Sequence, residues 1–450
     1  MGAADGRLGA CYAADDRVVF LWAEVFHEIR LGADGLQMNG ERKLQHLEGM
    51  RGLAACAVVL AHFFQVLLPA MFERNPALTH TAFDRFAPQT PLNGLWNGNF
   101  AVCLFFVLSG YVLSMKSFRG GNRLAVAESL LRRYFRLALP ALASVLLCWC
   151  LMAAGLSFYP EASKLSSATM PDPWSVTPTL AEAAWQTIWH TFFSYGMAYN
   201  PVLWTMTYEW FGSLSVFAVL LAFGGSRRHG CRLARLLAYA VGIALSWNTY
   251  YLGFWLGMIA CEWAPSRDRS ASAGRSGAPL RNLLRRSGIV AGTLGAVGFY
   301  LGSYPYVNPP GPWYDWLPVG QGLRLDPIGC RIWGSFLLLL GLLLSPRVQH
   351  LLTGGMMRML GRLSFSVYLV HFAVLCSWSS WLFARLHSVI PYPLAVALTV
   401  LLSVPPIALL SICFECLIDR PLLRGLKRLQ LGRGSTVFDQ QSGRTRGHSG

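Results

Sequence analysis

Ten apolar stretches recur along the chain, at residues 47–68, 97–115, 137–155, 203–224, 233–247, 250–263, 288–304, 328–344, 363–385 and 393–417. Most approach the ~20 residues a helix needs to cross the hydrocarbon core of a bilayer. The pattern predicts an all-α polytopic membrane helix bundle with about 10 transmembrane helices. The fifth and sixth runs are the shortest and read as a tight pair. Around the runs lie a Pro-, Asn- and Thr-rich loop at 69–96, a basic connector at 116–136 and a long loop at 156–202. That last loop carries Trp185 and Trp189 and is expected to lie in the membrane interface or to re-enter the bundle. Residues 265–286 read as a polar, flexible linker, and a Pro/Trp/Tyr loop occupies 305–327. The expected organisation is a cytoplasmic N-terminal segment at 1–46, a transmembrane domain at 47–424 and a disordered cytoplasmic tail at 425–450. Within the first segment, Arg17–Arg30 has a rough amphipathic pattern suited to an interfacial helix.

Composition supports this reading. The 450 residues are 54% hydrophobic and only 13% charged, against about 25% charged in soluble domains. The formal net charge of +16 would suit nucleic acid if it were spread evenly, but it is not. Thirty-one of the 38 lysines and arginines fall at 1–46, 116–136, 225–236, 265–286, 346–362 and 419–450; the alternate loops hold only Arg74, Arg85, Lys164 and Arg324. Such asymmetry predicts cytoplasmic termini by the positive-inside rule, and it removes nucleic acid as a partner. The first 46 residues have no apolar core of signal-peptide type, so no cleaved leader is expected. Most of the eleven cysteines sit inside apolar runs, which argues against a disulfide framework. Cys413 and Cys416 form a CxxC without a partner pair, so no metal site is expected.

Four features could carry chemistry. Arg51 and His62 are eleven residues apart, which places them within roughly 20° on one helix face and about 16 Å apart along the axis. The arginine would then sit at a membrane surface and the imidazole near the midplane, where an ionisable group is costly and points to function or to a relay. A neutral histidine bonded to a neighbouring helix is the bland alternative. Arg132, Arg133 and Arg136 precede the third run at spacings that suit bidentate phosphate binding; topological anchoring alone would also explain them. Glu209 lies about a turn and a half into the fourth run, and His371 eight residues into the ninth, each deep enough to need a partner. Together these groups fit general-base chemistry fed by a phosphate-bearing donor. They fit a proton-coupled transporter or flippase equally well.

The segments LEGMRGLAACAVVLAHF, AVCLFFVLSGYVLS, LLRRYFRLALP, LWTMTYEW, LGRLSFSVYLVH and IDRPLLR resemble, in order, the motif series of the acyltransferase-3 family of multipass membrane O-acyltransferases. The wording of HLEGMRGL is closest to the fungal branch. The resemblance spans Leu47 to about Arg424. It implies transfer of an acyl group, typically acetyl, from acyl-CoA (acetyl-CoA above all) to a hydroxyl of a carbohydrate, lipid or small secondary metabolite, with no metal. By position, His62 matches the family's essential histidine and Arg51 its basic partner. Arg133 and Arg136, with Arg132 beside them, match the arginines that meet the acyl donor; Glu209 matches the first glutamate of a pair and His371 a late histidine. Trp210 stands where the second glutamate is expected, Phe365 where Tyr is usual and Asp419 where Glu is common. The expected partners are the donor, a hydroxyl-bearing acceptor and the lipid bilayer. The expected location is an endomembrane such as the ER in a eukaryote, or the inner membrane in a bacterium.

Overall fold

The computed structural model describes residues 45–428 apart from 74, 119–122, 178, 225–228, 264–287, 307–309, 321 and 323. The expected interfacial helix at 17–30, the linker at 265–286 and the tail beyond 428 lie outside the described residues. All regular structure among the described residues is helical. Each apolar run forms a helix: α1 Gln45–Leu67, α2 Gly98–Phe118, α3 Arg123–Ala153, α4 Trp204–Phe223, α5 His229–Leu245, α6 Tyr251–Trp263, α7 Gly288–Gly302, α8 Pro327–Leu344, α9 Gly355–Val374 and α10 Tyr392–Phe414. Among the described residues, seven stretches are long and apolar enough to cross a membrane: Gln45–Leu67, Gly98–Met115, Val126–Ala153, Pro201–Phe223, Pro327–Leu344, Gly355–His387 and Tyr392–Leu426. Helices α5, α6 and α7, of 17, 13 and 15 residues, are shorter.

Several boundaries differ from the apolar runs because the backbone stays helical after the hydrophobicity stops. α3 starts at Arg123, so the connector 123–136 is helix and not loop. Its Leu124, Val126, Leu130 and Leu131 alternate with charged residues in a helix-compatible pattern, and the 31-residue helix is about 46 Å long. α9 continues through a wider π turn at Leu375–Ser379 into Ser380–His387. α10 does the same through Glu415–Asp419 into Arg420–Arg428, so the first residues of the expected tail are helical. The start of α8 is set locally: Asp326 accepts a hydrogen bond from the Gly329 amide, and Pro327 occupies the first turn.

The Trp-rich part of the 156–202 loop folds back along the bundle. Residues 180–193 form a short helix whose Ile188 carbonyl accepts from the Tyr134 hydroxyl at 2.7 Å on α3. Its Thr191 carbonyl accepts from Thr207 at 2.8 Å on α4. The segment packs on α3 and α4 while Trp185 and Trp189 stay exposed. The chain reverses at Tyr195, whose φ of 56° lies in the left-handed region that aromatic residues rarely occupy. At the end of the bundle opposite Arg51, the 69–96 loop is pinned to the end of α7. Asn93 and Asn97 donate to the carbonyls of Ser303 and Tyr304 at 3.1 Å each, and the buried Arg331 donates to Tyr304 and Pro305.

The most intimate helix pairs are α1 with α9, α2 with α6, and α7 with α8. Small residues are what allow such approach in a bilayer, where apolar surface alone drives little association. A Cβ at Gly52 would lie 2.7 Å from the backbone of Leu360 and Gly361. From that contact, ten residues further along each helix lead to His62 on α1 and His371 on α9, and these two also meet. The constant offset shows that the two helices run parallel in one register, set by the glycines. Gly52→Leu is therefore expected to force α1 and α9 apart at a cost of about 1–3 kcal/mol. It should lower the melting temperature of the purified protein; an unchanged melting temperature would contradict the packing.

Candidate active site

His62 and His371 form the centre of the site. The Nε2 atom of His371 lies 3.0 Å from Nδ1 of His62, and its Nδ1 lies 2.9 Å from the Val367 carbonyl one turn back. A carbonyl can only accept, so the His371 Nδ1 carries the hydrogen. With both rings neutral, Nε2 of His371 is then a bare acceptor, and His62 must donate to it from Nδ1. That leaves the lone pair on Nε2 of His62 free. His371 is fully buried while His62 is only half-buried, so the free nitrogen belongs to the ring with open surface. Phe372 packs edge-on against His62 at 5.4 Å between ring centres. Tyr368, one turn before His371, is held by hydrogen bonds to Val202 at 2.6 Å and Thr205 at 2.7 Å. It ties the histidine turn of α9 to the start of α4.

The charged residues gather separately, one group on each of four helices. Arg133 on α3 binds the Glu209 carboxylate of α4 and reaches Ser213 at 3.1 Å. The same carboxylate accepts from Ser109 on α2. Arg132 points elsewhere and pairs with Glu128 one turn back at 2.8 Å. Arg51 interacts electrostatically with Glu209, Arg133, Glu48 and Asp419, and Arg136 with Arg133, Arg51, Asp419 and Glu209. Neither Arg51, which is half-buried, nor Arg136, which is exposed, has a hydrogen-bonded acid among the described residues. Two arginines are thus committed to acids, and two keep hydrogen-bonding capacity in hand.

The structure therefore brings His62 to His371, and Arg51 to Arg133, Arg136 and Glu209. It does not bring Glu209 to His62, because the carboxylate is occupied by Ser109 and Arg133. Trp210, where a second acid is absent, packs its ring on Tyr134 at 5.4 Å instead. Gly110 does serve close packing, against the backbone of Phe254, whereas its neighbour Ser109 has the further task of holding Glu209. Asp419 is the residue to which sequence reading gave no role. It sits in the π turn after α10 and joins the arginine group; the one sequence signal was its place before Pro421 in IDRP. Among the described residues no three His, Cys, Asp or Glu side chains converge as a metal-binding set.

Comparison with known proteins gives a consistent picture. A family model described as an acyltransferase domain, acyltransferase 3, matches residues 44–409. The chain is similar to acyltransferase clz18 of Cochliobolus lunatus, 26% identical over 77% of this chain and 87% of that one. It is similar to acyltransferase R4 of a Phoma species, 27% identical over 75% and 84%. It also resembles the O-acetyltransferase PaAT-1 of Phomopsis amygdali, 24% identical over 74% and 73%. No solved structure matches.

The Arg133–Glu209 pair has side chains only 11% and 13% exposed, so removing one partner leaves a poorly solvated charge. Glu209→Gln is expected to destabilise the protein toward the low end of about 3–5 kcal/mol, because some solvent contact remains. The double variant Arg133→Met with Glu209→Gln should recover part of that loss. Thermal melts of the wild type, Glu209→Gln, Arg133→Met and the double variant in nanodiscs check this, and strictly additive effects would contradict the pairing.

Proposed function

This chain belongs to the acyltransferase-3 family and is a multi-pass membrane O-acyltransferase; from that premise we propose that it moves an acetyl group from acetyl-CoA to a hydroxyl of a small acceptor, with His62 as the general base. The observation that carries the reading is the His62–His371 hydrogen bond, which frees Nε2 of His62 to accept a proton. In the reaction, Nε2 takes the proton of the acceptor hydroxyl as the oxygen attacks the thioester carbonyl. The carbon–sulfur bond then breaks, the ester leaves with the acyl group, and the departing CoA thiolate takes the proton back from His62. His371 is the orienting partner: its bare Nε2 stabilises the imidazolium that forms on His62, and its own Nδ1–H remains tied to Val367. This is the logic of a base held in one tautomer by a third group.

CoA carries a diphosphate and a further phosphate, which call for charge-assisted donors. Arg51 and Arg136 are the arginines with free hydrogen-bonding capacity, and they are assigned to the phosphates. Arg133 and Glu209 act as a scaffold that positions them, and Arg132 stays with Glu128. About 16 Å along α1 separates Arg51 from His62, a distance suited to an extended pantetheine arm. The acetyl group is preferred because one relative is named as an O-acetyltransferase. In this reading all ten helices cross the membrane with both termini in the cytosol, as the charge asymmetry of the loops requires, and the host membrane is an endomembrane.

Membranes containing the protein are expected to release free CoA from acetyl-CoA only when a hydroxyl acceptor is added, whereas a transporter would release none. His62→Ala should abolish release while the protein still purifies as a folded species. Arg136→Ala should mainly raise the KM for acetyl-CoA, through loss of contacts worth about 1.5–3 kcal/mol. Loss of membrane insertion with an unchanged KM would reduce Arg136 to a topological anchor.

A further inference from the structure

Gln65 lies one turn beyond His62 on α1. It continues the line of Leu47, Ala54, Val58 and Ala61, whose exposures of 2%, 5%, 1% and 5% mark the side of α1 that faces protein. Arg51 and His62 lie within about 60° of Gln65 on the helix surface. Although it lies on this protein-facing line, Gln65 is only half-buried, so its side chain stays partly accessible. The amide has no hydrogen-bond partner among the described residues, so its donor and its acceptor are both available to a ligand. Along the inner face of α1 the order is therefore cation, base, amide.

We propose that Gln65 binds the acceptor, and that the acceptor carries a second hydroxyl or carbonyl a few atoms from the hydroxyl that is esterified. The inference rests on the acyl-transfer reading, in which the donor reaches His62 from the Arg51 side. Whatever lies beyond His62 on the other side then contacts the acceptor. Residues three apart on a helix rise about 4.5 Å, so a group bonded to Gln65 sits close to the one bonded to His62. A primary amide both donates and accepts. It complements a hydroxyl, which does both, or a carbonyl, which only accepts. A simple monoalcohol leaves the amide unpaired and is disfavoured for that reason. Gln65 is on this account a specificity-determining residue and takes no part in the proton transfer.

The test uses the full-length protein with acetyl-CoA and four probe acceptors: cyclohexanol, trans-1,2-cyclohexanediol, cis-1,3-cyclohexanediol and 2-hydroxycyclohexanone. The wild type is expected to favour the bifunctional probes in kcat/KM by about 3- to 10-fold, the range of one neutral hydrogen bond. Gln65→Met, of similar size, should erase the preference with the KM for acetyl-CoA unchanged. Gln65→Glu keeps the shape in case the methionine variant fails to fold. It should retain the preference for the diols, which can donate to a carboxylate, and lose it for the hydroxyketone. An equal fall in turnover of every probe would assign Gln65 to the thioester carbonyl and overturn the inference, as would a raised KM for acetyl-CoA with selectivity intact. Absence of CoA release with any hydroxyl compound would overturn the acyl-transfer reading, and this inference with it. Release without a preference for bifunctional probes would overturn this inference alone.

Discussion

Two imidazoles from helices that are distant in sequence share one hydrogen bond, and the direction of that bond decides what the site can do. Val367 fixes the proton on Nδ1 of His371, His371 fixes the proton on Nδ1 of His62, and the outer nitrogen of His62 is left bare. Nothing in this chain of constraints needs a carboxylate. In a membrane interior that is an advantage, because a buried neutral pair avoids the desolvation cost of an ion until the proton arrives. The arrangement survives only if α1 and α9 keep their register. The contact between Gly52 and Gly361 supplies that register three turns below the histidines, and the Tyr368 hydroxyl locks the same turn of α9 to α4 from the other side.

The charged group lower in the bundle follows a different rule. Cations and acids drawn from α1, α3, α4 and the turn after α10 interact there. Arg133 and Glu209 are spent on each other, with Ser109 and Ser213 completing their hydrogen bonds. Arg51 and Arg136 are left without a hydrogen-bonded acid among the described residues. The cost of burying charge is thereby confined largely to a pair that is already satisfied. The neutral relay and the charged anchor are thus kept about three helical turns apart on α1, each in the environment its chemistry needs.

Much of the architecture was legible in the sequence because hydrophobicity in a membrane protein is close to a direct readout of topology. Every apolar run is a helix; His62 and His371 are recognisable as ionisable groups in places where such groups are expensive, and Arg51 by sharing the helix face of His62. Helix ends were less legible. Arg123 to Arg136 looks like a connector by composition, yet it is the first part of α3, since charged residues such as Arg and Glu are good helix formers. Pairings were less legible still. Glu209 reads by depth as a group that needs a partner, but nothing in the sequence marks Ser109 and Arg133, 100 and 76 residues away, as the groups that claim it. Asp419 enters the arginine group only because α10 widens into a π turn, and a bulge of that kind leaves no clear mark on the sequence. Gln65 drew no attention for the opposite reason: an uncharged polar residue near a helix end is unremarkable until its neighbours prove to be buried.

The claim that bears the most weight is the tautomer of His62. Solid-state ¹⁵N NMR of ring-labelled histidine in the membrane-reconstituted protein at neutral pH, with the His62→Gln variant used to assign the resonances, reads it directly. The account requires His62 to be neutral with its hydrogen on Nδ1 and a bare Nε2. A signal showing the hydrogen on Nε2 would mean that the histidine pair is bonded the other way round and has no base to offer.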